Sequence, residues 1–110
     1  MTSDNTPLDF DAALSRCVKE GLTEALGSVI VDAIFDQMYE HYDITLGNLP
    51  THLKMFTSVM EGAFGQQVNK VLSRVIARKL YAYLSLEFVE NPAKGLLEYV
   101  EEMRKKLAKS

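Results

Sequence analysis

The stretch AFGQQVNKVLSRVIARKLYAYL, residues 63–84, holds one glycine and no proline, and after the glycine its apolar residues recur three and four positions apart. At about 100° per residue, Val68, Val71, Leu72, Val75, Ile76, Leu80 and Tyr83 share one side of a cylinder, and Lys70, Arg74 and Arg78 lie opposite. This spacing predicts a long amphipathic helix with its apolar stripe in a core and its cationic stripe in water. Lys79 falls near the apolar side, where its stem packs while the ammonium reaches the rim. Gly65 is expected to close the preceding helix in the left-handed conformation, which costs a residue without a Cβ nothing.

Two sharper roles for this stretch compete with that corner. A phosphate-binding loop needs several glycines and a Lys-Ser/Thr pair, and AFGQQVNK has one glycine and neither companion. A helix-turn-helix also breaks near Phe64-Gly65, but it would put Glu61 where a small residue packs and Gln66 where an apolar one belongs. DNA binding through Lys70, Arg74 and Arg78 on phosphates stays open as the alternative function.

The flanking sequence repeats the helical pattern and shows no convincing two-residue alternation, except over LSLEFV at 84–89. Residues 1–8 are expected to be a frayed tail and 9–110 one all-α domain of about five helices. The first helix should start near Asp9 or Asp11, turn Phe10, Leu14, Cys17, Val18 and Leu22 inward, and stop near Gly27. Ser28 then suits the cap of a second helix, with Ile30, Ile34, Met38 and His41 inward and Asp32, Asp36, Glu40 and Asp43 outward. DITLGNLP reads as a turn, with Pro50 at the first position of a third helix that buries Leu53, Phe56, Val59, Met60 and Phe64. Asn91-Pro92 has the chemistry of a cap and first position for a last helix, with Leu96, Leu97, Val100, Met103 and Leu107 inward. Arg104, Lys105, Lys106 and Lys109 then complement the dipole at its end.

Composition narrows the function classes. With 110 residues, 47% hydrophobic and 25% charged, the chain has the material of one ordinary globular core. A net charge of -3 disfavours general nucleic-acid coating, which requires cations to displace phosphate counterions. The charge is uneven: residues 1–48 carry -7, residues 49–86 carry +4, and the remainder is neutral. The acidic stripe on the second helix and the cationic stripe at Lys70, Arg74 and Arg78 match in spacing, which suggests that they pair, within or between chains.

One cysteine, Cys17, precludes an internal disulfide. The opening residues carry no basic and apolar leader, and no apolar run reaches membrane length. A cytoplasmic protein is expected. His41 and His52 form no zinc-binding pair, one helix face cannot converge four carboxylates on a metal, and no nucleophile, base and stabiliser can be assembled. The sequence therefore predicts no enzyme activity, metal or cofactor. Tyr39 and Tyr81 project from the polar sides of their helices and are the aromatic interface candidates.

In order and detail, ALGSVIVDAIFDQMYEHYDI, a proline-started helix ending AFG, VNKVLSRVIARKLYAYLSLEF and LLEYVEEMRKKL resemble a small archaeal helical family described as a Nitrosopumilus output domain. The resemblance covers roughly residues 20–107. The residues that carry it are Leu26-Gly27-Ser28, Phe64-Gly65, Leu80-Tyr81, Leu84 and Leu86-Glu87-Phe88, while Gln66-Gln67 depart from the family's acidic and small residues. It implies a non-catalytic signalling output domain. The expected partners are another protein or a second copy of the chain, met through Lys70, Arg74, Arg78 and Tyr81 on one helix and Asp32, Asp36, Tyr39, Glu40 and Asp43 on another.

Overall fold

Pro7 lacks an amide hydrogen, which a first helical turn leaves unpaired anyway, and the chain is helical from Thr6. In the computed structural model, which describes residues 6–109 and the side chains of residues 10–108, helix α1 runs Thr6–Leu26. It thus begins before Asp9, and residues 1–5 of the expected tail lie outside the described residues. Four further helices follow: α2 (Ser28–Tyr42), α3 (Leu53–Phe64), α4 (Gln66–Tyr83) and α5 (Leu96–Lys109). A 3₁₀ turn at Leu49–His52, with Pro50 near its start, leads into α3. No strand occurs among the described residues, and LSLEFV is a turn at Leu84 and Ser85 that runs into an irregular link.

Two of the junctions are the same device used twice. Gly27 (φ 89°, ψ 155°) and Gly65 (φ 86°, ψ 162°) each end one helix and begin the next. Each glycine donates its N–H four residues back, Gly27 to Thr23 and Gly65 to Glu61, both at 2.8 Å, while its carbonyl accepts the first bond of the new helix from Val31 or Asn69. The φ is positive as expected. The ψ lies near 160°, which is not the left-handed helical region but an extended one open essentially to glycine alone. With one residue doing both jobs no separate cap fits, so Ser28 is the first residue of α2 and makes no side-chain cap bond. Leu26 and Phe64, just before each glycine, pack on the core and hold the corners.

α4 is the central element, packed on α1, α3 and α5. Its most extensive contact is with α1. Arg16 lies against the Tyr83 ring and Gly21 against Ile76, so the two helices run antiparallel. A Cβ on Gly21 would stand 3.0 Å from Ile76 Cγ1 and 3.3 Å from its Cα, which is why the middle of α1 carries a glycine. The buried stripe of α4 is Leu72, Ser73, Ile76, Ala77, Leu80 and Tyr81. That is roughly a quarter-turn away from the expected stripe at about 100° per residue. Val68, Val71 and Tyr83 are exposed at 43%, 47% and 55%. Small Ser73 and Ala77 allow close approach, and the Ser73 hydroxyl is satisfied by the Asn69 carbonyl at 2.8 Å.

The rotation of α2 needs a similar correction, since periodicity finds a helix more surely than its rotation. In α2 the buried residues are Val31 and Met38, with Ile34 and Phe35 half-buried, while Ile30 and His41 face water. Asn91-Pro92 does not start α5. The Asn91 carboxamide accepts from Ala93 N–H in a local turn, and Gly95 precedes the helix, with its N–H donating to Glu98 Oε1 at 2.9 Å. The remaining inward positions of α1, α3 and α5 agree with expectation, Leu97, Val59, Phe64 and Leu107 only partly buried. The radius of gyration, 13.6 Å, is near the roughly 13 Å of a well-packed chain this long.

Candidate interaction surfaces

Of the cationic stripe, two members are already engaged. Arg74 Nε lies 3.5 Å and an Arg78 terminal nitrogen 3.6 Å from the two oxygens of Glu90, in the link before α5. Arg78 also covers the Phe88 ring at 5.7 Å. The link is pinned from below by Tyr99, fully buried, whose hydroxyl accepts from Asn91 N–H at 3.0 Å and donates to the Asn91 carbonyl at 2.9 Å. Sequence reasoning misses Glu90, because nothing local marks a carboxylate in an irregular link as a partner for residues on α4.

Lys70 turns elsewhere, into a cleft of about 310 Å³ where the first turns of α4 and α5 meet α3, lined also by Thr57, Glu61, Gln66, Asn69 and Glu98. Two carboxylates, Glu61 and Glu98, share that lining. That is a poor cradle for a phosphate, and Gly65 contributes a corner rather than a binding loop.

Tyr81 is a core residue, 3% exposed. Its ring meets Phe88 edge-on at 5.3 Å and Tyr99 at 6.5 Å. Burial pushes its phenol above the ordinary range. It lies beside Ala77 on the wide face that α5 covers, so Tyr81 drops out as an interface anchor. Four other cations pair inside the chain: Lys79 with Glu24 at 2.9 Å, which raises the lysine, Arg16 with Glu20, Lys94 with Glu102, and Arg104 with Asp11.

α2 is the contrast. Asp32, Asp36, Glu40 and Asp43 are all exposed, and none has an ion-pair partner among the described residues. Asp43, at φ 58°, ends the helix in the left-handed conformation, and Ile44 N–H donates back to the Met38 carbonyl at 3.1 Å. That reversal folds Ile44 into the core and leaves Glu40 and Asp43 at the negative end of the helix dipole, where carboxylates repel the free carbonyls.

Asp32, Asp36 and Tyr39 line a groove of about 390 Å³ between α2, Lys19 of α1 and residues 44–46. Phe35, Ile44 and Leu46 supply its apolar lining. Phe35 stacks on buried Phe56 at 6.1 Å, and the Ser15 hydroxyl donates to the Leu46 carbonyl at 2.7 Å, so both walls are tied to the core. Tyr39 is 59% exposed. The structure thus gathers three of the nine sequence candidates into one groove. The lining residues of the turn escape sequence reasoning, although the apolar pair Ile44 and Leu46 inside a polar turn is a visible signal. A second exposed apolar set, Val29 and Ile30 on α2 with Val68 and Val71 on α4, follows the two glycine corners.

Cys17 is buried, and burial raises its thiol above the ordinary range, which keeps it protonated and inert. His41 and His52 are exposed and on separate elements. No helix among the described residues is long and apolar enough to cross a membrane. No family model, no curated protein and no solved structure matches this chain.

Proposed function

We propose that the chain is a non-catalytic regulatory or output domain of the cytoplasm that works by binding another protein through α2, in line with the output-domain resemblance. One observation carries this reading: α2 presents four carboxylates without ion-pair partners among the described residues, beside exposed Val29, Ile30, Tyr39 and Tyr42, while Arg16, Arg74, Arg78, Lys79, Lys94 and Arg104 are paired in cis. Unpaired like charge along one helix repels itself, and exposed apolar and aromatic side chains gain nothing from water. Both terms become favourable when a complementary surface docks. Aromatic and aliphatic anchors then supply affinity, and the carboxylates set partner choice and orientation.

The pairing of the two stripes between copies of the chain is a weaker form of this idea, because Glu90 already lies between Arg74 and Arg78. The test compares the intact chain with an Asp32→Asn, Asp36→Asn, Tyr39→Ala triple variant, all at exposed positions, in capture from the source lysate and in sedimentation at low and high salt. Loss of a captured protein, or of a salt-sensitive oligomer, in the variant alone supports the reading. Identical behaviour of the two chains refutes it.

A further inference from the structure

We propose that the α1/α2 groove receives a cationic amphipathic helix from a different protein, which lays an apolar stripe on Phe35, Ile44 and Leu46 and a basic stripe along Asp32, Asp36 and Glu40. The proposal rests on the reading of α2 as the docking element and adds the chemical class of its partner.

The carboxylates at 32, 36 and 40 are each one helical turn apart, a spacing of about 6 Å. The apolar lining lies to one side of that line, toward α1 and the turn at residues 44–46. A matching ligand must carry two parallel stripes, cationic and apolar, separated by a fraction of a turn. An amphipathic helix does this by construction. An extended strand sends alternate side chains to opposite faces and offers only one stripe per face. The groove, about 390 Å³, has room for one or two side chains rather than a whole helix. The partner therefore lies across its mouth and inserts anchors, as in other helix-in-groove complexes.

Charge selects the sign of the partner. Asp32, Asp36, Glu40 and Asp43 have no ion-pair partners among the described residues, and the last two sit at the carbonyl end of α2, where the dipole adds to the negative potential. Lys19 is the one cation among the described residues lining the groove, and it lies beyond ion-pairing distance of every described carboxylate. It repels an incoming cation from the α1 side and so biases the basic stripe toward α2. A second copy of this chain is a poor occupant, because its Arg74 and Arg78 share Glu90 and its Arg104 both pairs with Asp11 and covers the Phe10 ring at 4.7 Å.

The probe is a capped sixteen-residue helical peptide with Arg at three successive turns and Leu on the adjoining stripe, set against the same peptide with Glu for Arg. Amide shifts in the full chain are followed by NMR, and affinity by peptide fluorescence anisotropy. Expected are shifts at Asp32, Phe35, Asp36, Tyr39 and Ile44 with the Arg peptide only. Asp32→Asn with Asp36→Asn should weaken binding roughly tenfold, on the scale of exposed ion pairs of a few-fold each, and Lys19→Gln should tighten it about two- to fivefold. Shifts elsewhere, or equal binding by the doubly substituted chain, overturn the groove as the site. If no Arg peptide binds but the chain forms an oligomer that the Asp substitutions abolish, the partner class is wrong while the docking role of α2 survives. If neither occurs, both fall.

Discussion

Alanine at Gly65 and alanine at Gly62, three residues apart in the same short segment, are expected to move stability in opposite directions. Gly62 lies inside α3, exposed, and a Cβ there would have nothing within 4 Å. Only backbone propensity is at stake, and Gly→Ala in an exposed helix interior gains about 0.8–1 kcal/mol. Gly65 also has open space where a Cβ would stand, so no clash contributes. Its φ of 86° with ψ of 162° lies where an L-side chain is strained by about 1–3 kcal/mol. The stiffer unfolded chain returns roughly 0.4–1 kcal/mol of that, leaving a net loss of about 1–2 kcal/mol. For a domain near this size 1 kcal/mol moves Tm by about 4–8 °C. Gly62→Ala should therefore raise Tm by about 4–8 °C, and Gly65→Ala should lower it by about 4–15 °C on the same scale. Gly27→Ala should match Gly65→Ala, because its φ of 89° and ψ of 155° are nearly the same and its Cβ position is equally open. Calorimetry with urea midpoints on the three variants is sufficient. A neutral Gly65→Ala, or a Gly27→Ala of opposite sign to it, refutes the shared corner.

Three further outcomes follow from particular side chains. The Lys94 hydrogen bond holds the Glu102 carboxyl below the ordinary range and Glu102 raises Lys94. The stabilisation is present above the ordinary glutamate range and is lost as pH falls through the lowered value, so urea midpoints of Glu102→Gln should vary less between about pH 5 and pH 3 than those of the parent chain; parallel curves count against the pair. The buried Cys17 thiol should react with a disulfide reagent only through unfolding, at a rate that rises with urea as global opening does; rapid labelling of the native chain contradicts its burial. With Glu90 between Arg74 and Arg78, the parent chain should give no salt-dependent shift with duplex DNA, and Glu90→Gln should strengthen retention on an anionic column by freeing both guanidinium groups; a shift by the parent chain at low salt would restore the nucleic-acid alternative.

Helix existence, order and corners were legible because they depend on local chemistry. Gly27, Gly65 and Pro50 punctuate the chain, and three-and-four spacing survives any environment. Rotation was less legible, because it depends on what surrounds a helix. α4 has neighbours on three elements and buries a wide arc that includes Ser73, Ala77 and Tyr81. Summed hydrophobicity instead follows the valines, which places Tyr81 on the wrong side and Val68 and Val71 inward. Glu90 and the lining at Ile44 and Leu46 were beyond local pattern, because their roles arise from the approach of segments far apart in sequence.

Those rotation errors are not scattered at random over the molecule. They fall on α2 and α4, the two helices that follow a glycine corner. His41 and Tyr83 lie near the far ends of their helices, but Ile30 after Gly27, with exposed Val29 beside it, and Val68 and Val71 after Gly65 stand within the first two turns. The antiparallel register set by Gly21 on Ile76 and Arg16 on Tyr83 brings Val71 level with the Gly27 corner, so both sets belong to the same end of the α1/α4 pair. Exposed valine and isoleucine gathered at this end are what the proposed docking of a partner on α2 would account for. The acidic groove lies farther along α2, toward its C-terminal half. A partner helix laid along α2 from Glu40 toward Val29 would meet carboxylates first and aliphatic side chains last, which gives the contact a polarity that charge alone would not supply.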